Sequence, residues 1–456
     1  MSLTTATPPS TTNAQPPTTR RTSTPRTPAG PNTGTLRPKR QPRRERGSLT
    51  AIPHDRSVRD PKRLKTPQRL VVAALGAKPA ALAVFVLAVA VAAYTGFRLP
   101  NDWTATLDAV SITEGFHRRI LVGTLLHPLA VATHDNYWVF AVKSYLVLAA
   151  LLAVATVALI RTKLVSHRLL LIGWLLLPTG GYFFHEVGYY DQVLYLVLFA
   201  GVLALDRSRP IVASVLMTLS VLVHEITVLT ALPIFAMVAV RRLPFGRAVL
   251  VLVAPMVLSG IVLVAVHPSA PGSTARLGAV LAHADFPYRA DALALFDRTQ
   301  DRSWQLYNVG DVLIYLAPSA ILMILAFALL HLTDAGLTDP ANGRTDNAKL
   351  VSVLHALVAA VAVTSPLLLA FAGWDQDRWG FLLVTNFAIV LWLHLRERQR
   401  ELGMTQVVIL VATMLIVTHI PMGYFDGFAP RPLQWPAMQA FLGDLVHGKA
   451  FTIPLR

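Results

Sequence analysis

The residues best suited to chemistry fall in four short segments. The first is Glu114-Gly115-Phe116-His117-Arg118-Arg119-Ile120-Leu121-Val122-Gly123. Two adjacent arginines offer planar forks that match phosphate oxygens. A carboxylate shortly before them, Glu114 or the earlier Asp108, is a candidate general base, and His117 is a candidate substrate-binding residue. The plainer reading is that Arg118 and Arg119 grip lipid headgroups while Glu114 pairs with one of them.

The second and third segments are the dipeptides His185-Glu186 and His224-Glu225, with Asp191 close after the first. A glutamate can orient a histidine or hydrogen-bond a sugar hydroxyl. The same pairs also suit polar caps at a membrane interface. Two histidines and two carboxylates can hold a divalent metal, but neither pair has the spacing of an HExxH helix, so no metal or other cofactor is assigned. The fourth segment is Asp375-Gln376-Asp377-Arg378. It reads either as a plain interfacial ion pair or as the far side of a phosphate clamp, with Arg378 joining Arg118 and Arg119 and with Asp375 and Asp377 facing substrate.

Composition says what kind of element must position these residues. The chain has 456 residues, 54% hydrophobic and only 14% charged, against about 25% charged in an average soluble domain. That excludes a soluble enzyme and predicts an all-α polytopic membrane protein. There is no cysteine, which excludes disulfides, thiol nucleophiles and cysteine-ligated metals. The sequence contains no P-loop, no dinucleotide fingerprint and no GxSxG elbow, so a nucleotide-driven pump is excluded for this chain alone.

The net charge of +16 resembles that of a nucleic-acid binder until it is located. Residues 1–78 carry 16 Lys or Arg against three acids, Glu45, Asp55 and Asp60. Thr, Pro and Ser dominate residues 2–36. Such a segment buries too little apolar surface to offset its ordering entropy and is expected to be disordered. A basic tail abutting the first apolar run fits a cytoplasmic anchor attracted to anionic lipid, so no nucleic-acid partner is assigned; an RNA or protein docking arm is the other reading. No short leader-type apolar run precedes residue 80.

A bilayer core of about 30 Å requires about 20 apolar residues per helix. Eleven candidate spans follow: 80–97, 137–160, 169–184, 192–205, 210–223, 226–240, 248–266, 311–332, 350–372, 379–395 and 405–421. The stretch 210–240 reads as two spans because His224-Glu225 interrupts it midway. With the basic tail inside and the spans alternating, inner loops receive 13 Lys or Arg and outer loops receive 8, as the positive-inside tendency requires. The expected organisation is a cytoplasmic tail 1–78, a membrane domain 79–430 with outer loops 98–136 and 267–310, and an extracytoplasmic tail 431–456 in a plasma-membrane protein.

The same alternation puts all four segments on the outer face, where a shared site is expected. From His117 to about Ala132 the chain reads as a helix on or re-entering the membrane, bent at Pro128. Lys143, inside the second span, either snorkels outward or faces the bundle interior. The loop 267–310 and the stretch Phe425-Asp426-Gly427-Phe428 with Trp435 mix aromatics and acids, which suits sugar stacking and equally suits a loop hugging the interface.

About eleven spans, an acid-bearing first outer loop with a juxtamembrane helix, and further polar loops on that face resemble the GT-C superfamily of integral membrane glycosyltransferases. The pattern Gly-Phe-X-Arg-Arg-X-Leu-X-Gly at 115–123, with the later His-Glu and Asp-X-X-Arg elements, also resembles multi-pass proteins of bacterial envelope polysaccharide loci. The first loop departs from the best-known GT-C pattern: Asp102, Asp108 and Glu114 stand singly, with no acidic doublet. The resemblance implies a polyprenyl-phosphate sugar donor and transfer to a lipid or envelope-glycan acceptor at the outer face. Its closest variant is a polysaccharide polymerase or ligase. Rival readings from other classes are a secondary transporter or lipid flippase, which predicts an inverted repeat and charges at mid-depth, and a scaffold that recruits partners through the basic tail.

Overall fold

The protein is described from a computed structural model, which covers residues 75–264 except 177, then 272–297, 346–371 and 376–398, with isolated positions at 305–324 and 402–413. Residues 1–74, Asp375, the aromatic stretch 425–435, the tail 431–456 and most of spans 311–332 and 405–421 lie outside the described residues. Among the described residues the regular structure is helical throughout.

The chain runs through α1 (Lys78–Gly96), α2 (Asp102–Asp108), a 3-10 turn (Ile112–Glu114), α3 (Ile120–Ala132), α4 (Tyr137–Arg161), α5 (Val165–Leu176), α6 (Pro178–His185), α7 (Tyr190–Asp206) and α8 (Pro210–Val223). A second 3-10 turn (Glu225–Leu229) leads into α9 (Ala231–Arg242) and α10 (Phe245–Val264). Then come α11 (Ser273–Leu281), α12 (Ala290–Asp297), α13 (Asp346–Thr364), a 3-10 extension (Ser365–Phe371) and α14 (Gln376–Arg398).

Asparagine caps begin two of these helices: Asn101 accepts from the Thr104 amide at α2, and Asn136 accepts from the Trp138 amide at α4. Each satisfies an amide the helix itself leaves orphaned.

Five helical runs are long and apolar enough to cross a bilayer: α1, α4, α10, the run Val353–Phe371 and α14; the bent pair α6–α7 would make a sixth. This is a multi-pass membrane protein. Helices α3, α5 and α8 are apolar but shorter. The expected span 169–184 is divided between α5 and α6, both of which pack on α1. A Cβ on Gly96 of α1 would lie 1.7 Å from the Gly181 carbonyl oxygen of α6, so glycine is required for that approach. Lipid tails are as apolar as leucine, so this kind of close packing, rather than expulsion of water, holds membrane helices together.

Helix α14 is the centre of the bundle. Of its spanning window 83% is buried, against 22% for α4. Three side-chain bridges join it to α7: Asp191 to Arg378, Tyr195 to Asn386 and Asp206 to Arg396. Both partners advance together along the sequence, so the two helices run parallel. Asp191 and Asp206 are fifteen residues apart on α7, roughly 22 Å at the α-helical rise.

Helix α8 packs back along α7 and ends at His224, beside Arg378. Helix α9 then ends at Arg242, beside Glu397. The chain therefore reverses at His224-Glu225, and 210–240 is two segments, as its polar interruption suggests.

Candidate functional site

Four separate stretches of chain meet at the end of the bundle where α7 and α14 begin. Arg119 is the residue before α3 and sits in the left-handed region, at φ 65°. A non-glycine residue there is held at a conformational cost of order 1 kcal/mol. The restraint is visible: its Nε lies 3.2 and 3.0 Å from the two carboxylate oxygens of Glu225, and its Nη2 lies 2.6 Å from Oε1. Arg118 reaches the same carboxylate more loosely, at 3.9 Å, and donates from Nη2 to the Leu295 carbonyl at 3.1 Å.

Glu225 leads to His224, whose Nδ1 is 3.1 Å from Glu225 Oε2 and whose Nε2 is 3.4 Å from Arg378 Nη2. Arg378 in turn forks onto Asp191, with Nε to Oδ2 at 2.6 Å and Nη2 to Oδ1 at 2.8 Å. Its guanidinium also faces the rings of Tyr189 and Trp379, 5.2 and 5.5 Å from their centroids. Residues from four stretches of the sequence thus form one continuous chain of charge: Arg118, Arg119, Glu225, His224, Arg378, Asp191.

The 224–225 turn lies between spanning segments, and its electrostatics follow from the neighbours. Burial pushes the His224 imidazole down to about 4, and the Arg119 cation adds to this. The ring is therefore neutral near pH 7. Donors face both ring nitrogens, Arg378 Nη2 at Nε2 and the Ile226 amide, 3.2 Å away, at Nδ1. Burial alone would raise Glu225, but the Arg119 guanidinium and the His224 ring together outweigh it and hold the carboxyl well below its ordinary range. With His224 neutral, the charged groups along this chain are three guanidiniums and two carboxylates, in a largely desolvated place.

A narrow cleft opens on this chain, lined by Trp103, Leu107, Tyr189, Tyr190, His224 and Arg378. Gly188 contributes to it as well. Its φ of +101° turns α6 into α7 through the 109° bend, and a Cβ there would meet the Thr104 hydroxyl at 2.8 Å. Tyr190 stands edge-on to the His224 ring, centroids 6.1 Å apart. Behind Tyr190, Asp108 is 1% exposed and its Oδ2 lies 2.5 Å from Lys143 Nζ.

Of the residues singled out in the sequence, Arg118, Arg119, Glu225, His224, Arg378 and Asp191 come together, and Asp108 lies next to them. Glu114 is used elsewhere. Its Oε2 accepts from the Ser111 amide at 2.8 Å and the Ser111 hydroxyl at 2.7 Å, closing a capping box on its own 3-10 turn. Although burial opposes it, hydrogen bonds from Thr113 and Ser111 lower its carboxyl below the usual value.

His117 is buried, with Nε2 3.2 Å from the Glu114 carbonyl and its ring against Phe296. His185 and Glu186 pair with each other at 3.0 Å, beside Tyr182. Asp377 is placed in the first turn of α14 by its backbone, and Asp375 lies outside the described residues. No group of three metal-binding side chains gathers among the described residues.

Sequence reasoning gave no role to Lys143, Tyr190, Trp103 or Tyr189. Lys143 had a visible signal, since it is the only charge within α4 before its last residue. The aromatics had none beyond adjacency to Asp102 and Asp191. Comparison with protein-family models, with curated proteins and with solved structures gives no match for this chain.

Proposed function

We propose that this protein is a membrane glycosyltransferase that takes a sugar from a polyprenyl-phosphate donor at the outer face and transfers it to a lipid or envelope-glycan acceptor. The observation that carries the reading is the gathering of three largely buried guanidinium groups at an aromatic cleft, with Arg378 in its lining. Planar guanidinium forks match phosphate oxygens. The aromatic rings beside it suit a sugar face.

In the reaction, the acceptor O–H gives its proton to a carboxylate, the acceptor oxygen forms a bond to the anomeric carbon, and the bond from that carbon to the phosphate oxygen breaks. The electron pair leaves with the phosphate, and the arginines stabilise it there. Of the two first-loop acids, Asp108 is the better placed base, because it lies behind Tyr190 at the cleft while Glu114 caps its own turn. Eleven crossings with an inner N-terminus and an outer C-terminus complete the proposal. Parallel α7 and α14 support its parity, since parallel spans need an odd number of crossings between them; counting 210–223 and 226–240 separately makes five.

The test is mass spectrometry of envelope lipids and glycans in a deletion strain complemented with wild type, Arg378→Lys, Asp108→Asn or Glu114→Gln. The proposal expects one shortened glycan and an accumulated polyprenyl-linked sugar, corrected by wild type and Glu114→Gln only. An unchanged glycan profile on deletion sinks it.

The 109° break between α6 and α7, with Asp191 at the start of the second half, favours a second reading as a secondary transporter, since broken helices build ion sites there. Uptake into vesicles without glycan change would select that reading.

A further inference from the structure

The proposed function leaves Lys143 without a task. It projects from α4, the least buried of the spanning helices, yet its side chain is only 12% exposed and its ammonium lies 2.5 Å from Asp108 Oδ2. It also lies 5.9 Å from the Tyr190 ring centroid. Asp108 is the last residue of α2, and Tyr190 is its other polar neighbour. Tyr190 lines the cleft and stands edge-on to His224. One carboxylate is thus held between an ammonium on the lipid-facing side and a phenol on the cleft side.

We infer that Lys143 is the positioning residue for Asp108, keeping that carboxylate ionised and fixed behind Tyr190 so that it can take a proton from the cleft. The inference rests on reading Asp108 as the base of the proposed transfer. An isolated carboxyl buried to this degree takes up a proton instead of remaining charged, and a base must begin deprotonated. Burial does raise the Asp108 carboxyl, and Lys143 is the largest influence opposing it.

The other charges around Asp108 do not replace Lys143. Arg119 and Glu225 act on the phenol of Tyr190 and neutralise each other as a bidentate pair. Arg289 and Asp291, from the segment packed on α2, pair with each other, and Arg289 acts on Asp102 at the opposite end of that helix. In the proton step, the acceptor O–H gives its proton to the Asp108 carboxylate. Asp108 ends protonated beside Lys143.

The experiment uses the full chain in lipid nanodiscs. Infrared difference spectra against Asp108→Asn report whether Asp108 carries a proton, through the carbonyl stretch of a neutral carboxylic acid. At pH 7 wild type and Lys143→Arg should lack that band, and Lys143→Met should show it. The band should vanish again in the double variant Lys143→Met/Asp108→Asn.

A band in wild type at pH 7 overturns the inference, and this measurement needs no destabilised variant. Absence of the band in folded Lys143→Met overturns it too. Transfer assayed with an undecaprenyl-phosphate-linked sugar should show, for Lys143→Met, an acid limb moved at least one pH unit upward. At a fixed pH on that limb this is a loss of roughly tenfold with donor KM unchanged, and Lys143→Arg should rescue it. An unmoved limb overturns the inference. If wild type transfers no sugar at all, the transferase reading fails while the spectra still decide the ionisation of Asp108.

Discussion

The two ends of the parallel pair α7 and α14 carry matching sets of charge, and the pair that joins the two helices is buried at one end and exposed at the other. At the starting end, Arg118, Arg119 and Arg378 meet Glu225 and Asp191, with His224 among them. At the finishing end, Arg241, Arg242 and Arg396 meet Asp206 and Glu397, with His394 among them. The Arg378 and Asp191 side chains are 6% and 4% exposed, whereas Arg396 and Asp206 are 49% and 25% exposed. Water reaches Arg396 and Asp206 and screens that pair, so it contributes about 0–1 kcal/mol, while the Arg241 side chain beside it stays largely buried. The first set has lost most of its water and depends on its partners. The same residue types thus include a fully desolvated pair at one end and a water-exposed pair at the other.

The sharpest way to break this contrast is to remove one partner at each end. Arg378→Ala strands Asp191 in a buried place and should destabilise the protein by about 3–5 kcal/mol, read as a large fall in thermal midpoint in detergent. Asp206→Asn at the opposite end should change stability by no more than about 1 kcal/mol. Comparable losses in the two variants would mean that burial does not separate the ends.

Acid should separate them next. His224 is held down at about 4 from its ordinary 6.5, so the unfolded chain binds a proton before the folded one does. Stability from this residue is present above pH 6.5 and is lost as the pH falls toward 4. Glu225, lowered from 4.5, extends the loss to still lower pH. His224→Gln should flatten the upper part of that decline in a thermal-stability profile taken from pH 7 to 4, and His394→Gln should leave it in place. A wild-type profile flat over this range would refute the assignment of a neutral His224.

Smaller effects sharpen the picture. Arg119→Lys keeps the charge but loses the fork onto Glu225, which should cost about 1–2 kcal/mol. Ser111→Ala removes the cap shared with Glu114 and should cost about 1 kcal/mol, visible as faster proteolysis of the first outer loop. If Glu114 is only a cap, Ser111→Ala and Glu114→Gln should behave alike.

Much of this was legible in the residues. The long apolar runs predicted α1, α4 and α14 within a few positions, because about 20 apolar residues with few charges have few alternatives to a spanning helix. The interruption at His224-Glu225 predicted the chain reversal. The three arginines were identified as a group because the expected alternation of spans places all of them on one face.

Other features were not legible. Glu114 and Asp108 look equivalent as single acids in one loop. Only the neighbours distinguish them, Ser111 three residues away from one and Lys143 thirty-five residues away from the other. The break dividing 169–184 into α5 and α6 was also hidden, since a proline after an apolar run reads as part of the run.

The sequence by itself determined that this chain lives in a membrane, that its backbone is helical there, and that its unusual charges gather toward one face. Those outcomes follow from local composition, since a bilayer offers backbone groups no other partner. Tertiary structure decided which charges pair. Asp191 and Arg378 are 187 residues apart, and Arg119 and Glu225 are 106 apart. Whether such a pair is buried or bathed in water depends on how helices from distant parts of the chain pack around it. That packing buries the Asp191–Arg378 pair at one end and leaves Asp206 and Arg396 in water at the other.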